Sequence, residues 1–201
     1  MTITLLTGNH FKLETAQLAL QPFDIEVEGH KTELPEIQDD NVLNIAKDMA
    51  INEAEKLNKP VLREDHGFAI EALNNFPGPY MAFVEKTLSP IQVLNLMRDE
   101  KNRNATFDLG LVYANPGGET IELLHQVKCQ ILNEIKVDTK LSADKNYDPG
   151  WSSIIAFRND KRSWAQFPYQ ERMKEFTANY ISLGKIISES KSTISPDRLY
   201  T

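Results

Sequence analysis

The first dozen residues constrain the fold more than any other part of this 201-residue chain. An apolar run over residues 3–6 ends abruptly in Thr7-Gly8-Asn9, and a helical pattern of apolar and polar residues follows. A strand that turns through glycine into a helix leaves free backbone N–H groups at the helix start, and these groups favour an anion such as phosphate. Lys12, about one turn into the helix, adds a mobile positive charge. Thr7 or Asn9 serves equally well as an ordinary helix cap, so both interpretations stay open.

Composition excludes several classes of protein. Hydrophobic residues make up 41% of the chain, which is typical of a globular protein, and the net charge of −7 disfavours broad nucleic-acid binding. The single cysteine, Cys129, cannot form an internal disulfide, and its setting predicts a strand residue in a reducing compartment rather than a catalytic thiol. No apolar stretch approaches membrane-spanning length and no secretory pattern occurs at the N-terminus. We therefore expect a cytoplasmic protein with neither a nucleic-acid nor a membrane partner.

Predicted strands and helices alternate along the chain. The predicted strands are residues 3–6, 24–27, 61–63, 106–113 and 120–135, the last two joined by the turn residues 115–118. One predicted helix follows residue 9. Three others run from 41 to 57 with Asn41 as the cap, from 89 to about 100, and from near 169 to about 185. Crossover helices early and a hairpin later predict an α/β protein with a mixed sheet. We expect one domain in two lobes over residues 1–190 and a polar tail over 191–201.

Four groups of polar residues fall at predicted strand ends and turns, where binding groups tend to collect. They are the loop Thr7–Lys12, Glu36 within Leu34–Gln38, the run Glu64-Asp65-His66-Gly67, and the pair Tyr147-Asp148. Lys12 and the loop N–H groups suit phosphate, while Glu36 and Asp65 supply the carboxylates that Mg²⁺ prefers beside phosphate oxygens. Together these groups predict hydrolysis of a phosphoanhydride by a metal-activated water.

Each group also has a purely structural interpretation. Glu36 fits a solvated charge in a loop, and Glu64 with Asp65 fits the cap of a turn. His66 fits a loop residue, and with no second histidine near it in the sequence it is a poor candidate for a metal ligand. Tyr147 fits packing at the rim of a core. No single group decides between these alternatives.

Five motifs occur in a fixed order along the chain. They are Thr7-Gly8-Asn9-x-x-Lys12, Leu34-Pro35-Glu36-Ile37-Gln38, Glu64-Asp65-x-Gly67, Ala72-Leu73-Asn74-x-x-Pro77-Gly78-x-Tyr80-x-Ala82 and Tyr147-Asp148-Pro149. In this order and spacing the chain resembles the inosine triphosphate pyrophosphatase family from residue 3 to about residue 185. Five ordered motifs are far more specific than any one of them alone.

The resemblance implies both a fold and an activity. The fold is an elongated mixed β-sheet with flanking helices, forming two lobes around a central cleft, usually in a homodimer. The activity is cleavage of a nucleoside triphosphate, often with a non-standard purine base, between its α- and β-phosphates. The products are the monophosphate and pyrophosphate, and the cofactor is Mg²⁺.

The resemblance also assigns roles by matching position. It implies that the loop Thr7–Lys12 holds the phosphates, that Glu36 helps to bind the metal, and that Asp65 binds the metal or acts as the base. It implies that Tyr147-Asp148 contacts the nucleoside. His66 replaces a residue that is usually Ser or Thr, which leaves its expected phosphate contact open.

The C-terminal third departs from the family pattern. Lys145-Asn146 stands where the family has Phe-Gly, whose Phe stacks on the base. An ungapped alignment of Tyr169-Gln170-Glu171 with the family's aromatic-Ala-Glu segment places Thr177 at a lysine and Ile181-Ser182-Leu183 at Ser-His-Arg. This alignment predicts that a positive charge and the groups that read the purine are lost, with relaxed base preference as the result.

Two functions remain open. The first is an active Mg²⁺-dependent nucleoside triphosphate pyrophosphohydrolase with an altered base preference. The second is a catalytically impaired relative that acts as a nucleotide-binding or interaction module. The retained Lys12, Glu36 and Asp65 favour the enzyme, because a pure binding module has little need of metal-binding carboxylates.

Overall fold

A computed structural model of the chain describes residues 1–32, 35–138, 140 and 149–193. Within these residues the strands are β1 (Thr2–Leu6), β2 (Glu26–His30), β3 (Val61–Ile70), β4 (Phe76–Gly78), β5 (Asn104–Ala114), β6 (Thr120–Ile131) and β7 (Ile155–Phe157). The helices are α1 (His10–Leu20), α2 (Val42–Leu57), α3 (Met81–Thr87), α4 (Pro90–Leu96), α5 (Tyr169–Glu175) and α6 (Ala178–Thr193). Short 3₁₀ turns lie at Gln21–Phe23, Glu71–Leu73, Gly150–Ser153 and Trp164–Gln166.

The strands form one mixed sheet in the order β2-β1-β3-β5-β6-β7, and β4 pairs with β3 outside this order. β1 is parallel to both of its neighbours, whereas the remaining pairs are antiparallel. Val61 and Leu62 are adjacent in β3 and so point to opposite faces: Val61 packs under α2, and Leu62 packs with α1 and α6. The predicted mixed sheet with helices on its flanks is confirmed.

Side-chain caps fix the starts of α1 and α2. The Asn9 Oδ1 atom accepts a hydrogen bond from the Phe11 N–H at 2.9 Å, and the Asn41 Oδ1 atom accepts one from the Leu43 N–H at 2.9 Å. Each cap satisfies a backbone donor that has no partner within its own helix. The predicted helix over residues 41–57, with Asn41 as its cap, is confirmed.

The strand predicted to end at Arg63 is instead the ten-residue strand β3. Every residue of β3 pairs in unbroken register with β5. The run Glu64–Gly67 therefore lies in mid-strand, and its predicted position at a strand end is wrong. Consecutive charged residues have a low intrinsic preference for a central strand. The ladder with β5 overrides this preference, and the opening on the other edge of β3 gives the charged side chains room.

Other boundaries also differ: β2 and β5 begin at Glu26 and Asn104 rather than at the predicted residues 24 and 106. α4 and β6 end at Leu96 and Ile131, earlier than predicted. The predicted final helix is two helices, α5 and α6, separated at Phe176-Thr177, and the break allows the Phe176 ring to enter the aromatic core. α6 continues to Thr193, and residues 194–201 of the predicted tail lie outside the described residues. The division into a domain and a tail stays a prediction.

Cys129 occupies the strand position that was predicted for it. It lies in β6 and is fully buried, and burial raises the pKa of its thiol to about 12. The thiolate is the reactive form of cysteine, so this side chain cannot act as a nucleophile near neutral pH. Among the described helices, none is long and apolar enough to cross a membrane.

Glycines on β3 and β5 bring the start of α2 down onto the sheet. Gly110 lies opposite Asp65 in the β3–β5 ladder. A Cβ atom on Gly110 would lie 2.8 Å from the Val42 Cγ2 atom and 3.2 Å from the Leu43 backbone nitrogen. Contact this close leaves no room for a side chain, and it seats the N-terminus of α2 beside Asp65.

Gly110→Ala is expected to lower the free energy of unfolding by about 1–3 kcal/mol, because the added methyl overpacks a helix–sheet contact. Urea denaturation followed by circular dichroism measures the change. Val42→Ala removes the nearest collision. Gly110→Ala should therefore cost less stability in the Val42→Ala background than in the unmodified protein. Equal effects of Gly110→Ala in the two backgrounds would contradict this packing.

Candidate active site

The middle of β3 has an open edge. One edge of β3 pairs throughout with β5. On the other edge β1 pairs with Val61 and Leu62, and β4 pairs with Phe68–Ile70. In the part of the chain that the structure describes, no strand covers residues 63–67 on this edge. The gap forms the floor of a cleft of about 760 Å³.

Seven of the nine site residues predicted from the sequence line this cleft. They are Thr7, Gly8, Asn9, Lys12, Glu36, Asp65 and His66. They come from the loop after β1, the segment before α2 and the middle of β3, which are far apart in the sequence. The other two, Tyr147 and Asp148, lie outside the described residues.

The loop after β1 contains the cap of α1 and lines the cleft. The Thr7 Oγ1 atom accepts a hydrogen bond from the Asn9 N–H at 2.9 Å, and Asn9 in turn caps α1. The Thr7 N–H donates to the His30 carbonyl at 2.9 Å, which ties the loop to the end of β2. The cap and the phosphate interpretations are therefore compatible, because the cap fixes the loop beside the cleft without blocking it.

Lys12 reaches across the open edge of β3. Its Nζ atom donates to the Glu64 carbonyl oxygen at 2.9 Å, a group that a neighbouring strand would otherwise engage. Burial lowers the pKa of Lys12, and the carboxylates of Glu64 and Asp65 oppose this change. The ammonium group thus lines the cleft within the electrostatic influence of two carboxylates.

Asp65 lies within the electrostatic influence of two cations. Burial raises the pKa of Asp65 above that of an ordinary aspartate, while the positive charges of Lys12 and Arg63 oppose the rise. A partly desolvated carboxylate with a raised pKa is a better proton acceptor than one in water.

Arg63 is a cleft residue that sequence reasoning missed. It lies two residues before Asp65 and therefore on the same face of β3. Its Nη1 atom donates to the Leu6 carbonyl at 2.9 Å, and its Nη2 atom forms an ion pair with Glu36. The Glu36 side chain is 51% exposed, as a loop charge would be, but its ion pair with Arg63 anchors the carboxylate to β3. The interpretation of Glu36 as a free loop charge is therefore incomplete.

Glu64 and His66 form a second, buried network on the opposite face of β3. The Glu64 side chain is 3% exposed, and its Oε2 atom lies 2.8 Å from the His66 Nε2 atom. Burial and the charge of Lys12 lower the pKa of His66, which favours a neutral ring that donates its Nε2–H to Glu64. Burial alone raises the pKa of Glu64, but His66 and Lys12 outweigh it and hold that pKa below its usual range. His66 is thus a strand residue and not the predicted loop residue.

The far end of the cleft is aromatic. Phe107, Trp164 and Phe176 are buried and line the cleft, with Phe11 at its near side. The Phe176 ring centroid lies 5.5 Å from that of Phe107 and 5.7 Å from that of Trp164 in edge-to-face contacts. An apolar wall of flat rings next to a charged floor suits a ligand with a planar base at one end and phosphates at the other.

Arg172 supplies a cation at this end of the cleft. It lies on α5 and lines the cleft, whereas Thr177 and Leu183 do not. The Thr177 hydroxyl donates to the Lys174 carbonyl at 2.8 Å, and Leu183 is buried under the sheet. The predicted loss of positive charge here is therefore wrong, because the break after α5 turns Thr177 away and leaves Arg172 facing the cleft.

Glu36 and Asp65 provide a donor set that fits Mg²⁺. Mg²⁺ is commonly held by one or two carboxylates together with substrate phosphate oxygens, rather than by a cage of protein ligands. Among the described residues, no group of three or more His, Cys, Asp and Glu side chains converges on one point. The ion pair of Arg63 engages one Glu36 oxygen, Oε1, and a carboxylate accepts through both of its oxygens.

Comparison with known proteins agrees with this architecture. The model of the Ham1 family matches residues 3–177, which is most of the chain. The chain belongs to the Ham1 family. A dITP/XTP pyrophosphatase of Methanopyrus kandleri is 36% identical over 174 residues, covering 87% of this chain and 88% of that protein. One from Thermococcus kodakarensis is 33% identical over 172 residues, covering 86% of this chain and 88% of that protein.

Solved structures of Ham1 proteins share the fold. The HAM1 protein of Coxiella burnetii superposes with a TM-score of 0.76 at 22% identity, covering 94% of this chain and 99% of that one. The Ham1 protein of Staphylococcus aureus gives a TM-score of 0.75 at 19% identity, covering 94% of this chain and all of that one. The predicted family and the predicted mixed sheet with flanking helices are thereby confirmed, whereas the division into two lobes stays a prediction.

Proposed function

We propose that this Ham1 family protein is a nucleoside triphosphate pyrophosphohydrolase that converts a purine nucleoside triphosphate into its monophosphate and pyrophosphate. The observation that carries the proposal is that Asp65, Lys12 and Arg63 line one cleft at the open edge of β3, where both cations act on the Asp65 carboxyl. Two cations are suited to a phosphate chain, and a carboxylate in the same cleft is suited to the proton of an attacking water.

The reaction balances with the residues of the cleft. A water oxygen bonds to the α-phosphorus, and the bond from that phosphorus to the α,β-bridging oxygen breaks. Its electron pair leaves with pyrophosphate, and Asp65 accepts the proton of the water. Lys12 stabilises the charge that develops on the phosphate oxygens. Glu36 and Asp65 would hold Mg²⁺, which would supply further charge neutralisation and make a bound water more acidic.

The base is proposed to bind at the aromatic end of the cleft. Phe107, Trp164 and Phe176 offer ring faces and edges there, and Arg172 offers hydrogen-bond donors. The names of the similar archaeal proteins point to deoxyinosine and xanthosine triphosphates. A purine with an oxygen at position 6 suits Arg172 better than a purine with an amino group at position 6, because a guanidinium group donates hydrogen bonds and accepts none.

Three finer statements belong to the same proposal. We propose Mg²⁺ as the cofactor because of the oxygen-only donor set of Glu36 and Asp65. A homodimer and a cytoplasmic location are proposed from the family resemblance and from the single, buried Cys129.

The proposal is tested with purified protein and a panel of triphosphates: ITP, dITP, XTP, dUTP and the four ordinary ribonucleotides. With Mg²⁺ we expect pyrophosphate release, fastest from ITP, dITP or XTP, and we expect excess EDTA to abolish it. A protein that binds ITP but hydrolyses no member of the panel would instead support the nucleotide-binding module. Fastest turnover of ATP would contradict the proposed role of the aromatic wall and Arg172.

A further inference from the structure

A smaller recess opens beside the loop Thr7–Lys12, which we call the phosphate loop. Its volume is about 210 Å³, and its polar lining is formed by Thr7, Gly8, Lys31, Thr32, Glu36 and Arg63. The recess lies where the parallel strands β2, β1 and β3 are neighbours, past the carboxyl ends of β1 and β2. Ligands of α/β proteins bind at such strand ends.

Arg63 is held rigidly in the wall between this recess and the main cleft. It lines both cavities. The Leu6 carbonyl and the Glu36 carboxylate orient its two Nη atoms. Its Nε–H is buried and has no acceptor within the described residues. A guanidinium fixed in this way presents planar donors to an oxyanion with little ordering cost.

Lys31 approaches the same recess from the other side. It directly follows β2, whose last residue, His30, accepts the Thr7 N–H at 2.9 Å. The Lys31 Cδ atom would lie 4.0 Å from a Cβ atom built on Gly8, so the lysine stem runs alongside the phosphate loop. Lys12 lines the main cleft but not the recess. The phosphate loop therefore lies between two sets of cations.

We infer that Arg63 and Lys31 bind the β- and γ-phosphates of the substrate in this recess and retain them as the pyrophosphate leaving group. The inference rests on the proposed function. The recess, at about 210 Å³, is much smaller than the main cleft of about 760 Å³, which suits the phosphate end of the substrate better than its nucleoside. Among the described residues that line the recess, two cations face one carboxylate, that of Glu36. This leaves a positive balance for an anion whose charge increases as the bridging bond breaks.

The test uses inorganic pyrophosphate and inosine monophosphate as separate probes of the full chain, in the presence of Mg²⁺, by isothermal titration calorimetry. Arg63→Met and Lys31→Met should each weaken pyrophosphate binding at least tenfold and leave monophosphate binding within twofold of the unmodified protein. Arg98→Met and Lys128→Met are the matched controls, because both side chains are exposed and lie outside the two cavities. The controls should change neither affinity.

Two results would overturn the inference. One is pyrophosphate binding by Lys31→Met within twofold of the unmodified protein. The other is an equal loss for both probes in Arg63→Met, which would mark Arg63 as a purely structural residue. If Arg63→Met does not fold, Arg63→Lys replaces it, and the loss of the guanidinium fork should still weaken pyrophosphate selectively, about fivefold.

Failure of this inference can be distinguished from failure of the proposed function. Pyrophosphate binding needs no turnover, so a protein that binds pyrophosphate through Arg63 and Lys31 but hydrolyses no triphosphate refutes the hydrolase and not the recess. A hydrolase whose Arg63 and Lys31 variants bind pyrophosphate normally refutes the recess alone.

Discussion

Asp65→Asn is expected to lower kcat/KM for the best triphosphate by about 10³-fold, within the range found when a general base is removed. The amide keeps the size and shape of the side chain, so the β3–β5 ladder that carries residue 65 should persist. It cannot accept the proton of water, and it removes the negative charge on which Lys12 and Arg63 act. Initial rates of pyrophosphate release measure the effect, and thermal unfolding confirms that the variant is folded.

Asp108→Asn is the matched control for this substitution. Asp108 lies on the neighbouring strand β5, where burial also raises the pKa of its carboxyl, but it accepts a hydrogen bond from Gln126 at 2.9 Å and does not line the cleft. We expect its kcat/KM to stay within about twofold. A loss of less than tenfold in Asp65→Asn would contradict the role given to Asp65, and a comparable loss in Asp108→Asn would indicate a general effect of charge on the sheet.

Glu64→Leu is expected to lower the free energy of unfolding by about 1–3 kcal/mol, the range for leaving a buried hydrogen-bond donor without its acceptor. Glu64 is almost fully buried and is the only carboxylate paired with His66 among the described residues. Its loss leaves the His66 Nε2–H without an acceptor and Lys12 with less opposing charge. Glu64→Gln, which keeps an acceptor for His66, should cost less. Urea denaturation measures both variants.

Glu122→Leu provides the surface comparison. Glu122 forms an ion pair with Lys47 at 2.6 Å, but both side chains are about one-third or more exposed. Exposed pairs contribute about 0–1 kcal/mol, so this variant should stay close to the unmodified protein. If Glu64→Leu costs no more than Glu122→Leu, the buried network does not stabilise the centre of β3 as described.

The sequence predicted α2 well and β3 badly, for physical reasons. α2 carries its own boundary signals, since Asn41 caps it and its apolar residues follow a helical period. The extent of β3 is set by β5, which is distant in the sequence and supplies the ladder that holds four consecutive polar residues, Arg63–His66, in a strand. Local propensity cannot contain that information. Arg63 is missed for the same reason. A strand that ends at residue 63 does not bring the Arg63 side chain onto the same strand face as Asp65.

At the aromatic end of the cleft the sequence admits two alignments with the family pattern. The family's aromatic-Ala-Glu segment fits Trp164-Ala165-Gln166 as well as Tyr169-Gln170-Glu171. The first choice shifts the match by five residues and puts Arg172, rather than Thr177, at the family's lysine. The structure favours this choice, because Trp164 and Arg172 both line the cleft. The same shift puts Phe176-Thr177-Ala178 at Ser-His-Arg, so altered base readout stays a prediction.

The central claim is that water attacks the α-phosphorus. Phosphorus-31 NMR of the products formed in ¹⁸O-enriched water tests it directly, because bound ¹⁸O shifts the resonance of the phosphorus that carries it. We predict nucleoside monophosphate and pyrophosphate in equal amounts, with the ¹⁸O label in the monophosphate. Nucleoside diphosphate with inorganic phosphate, or label in the pyrophosphate, would contradict the account.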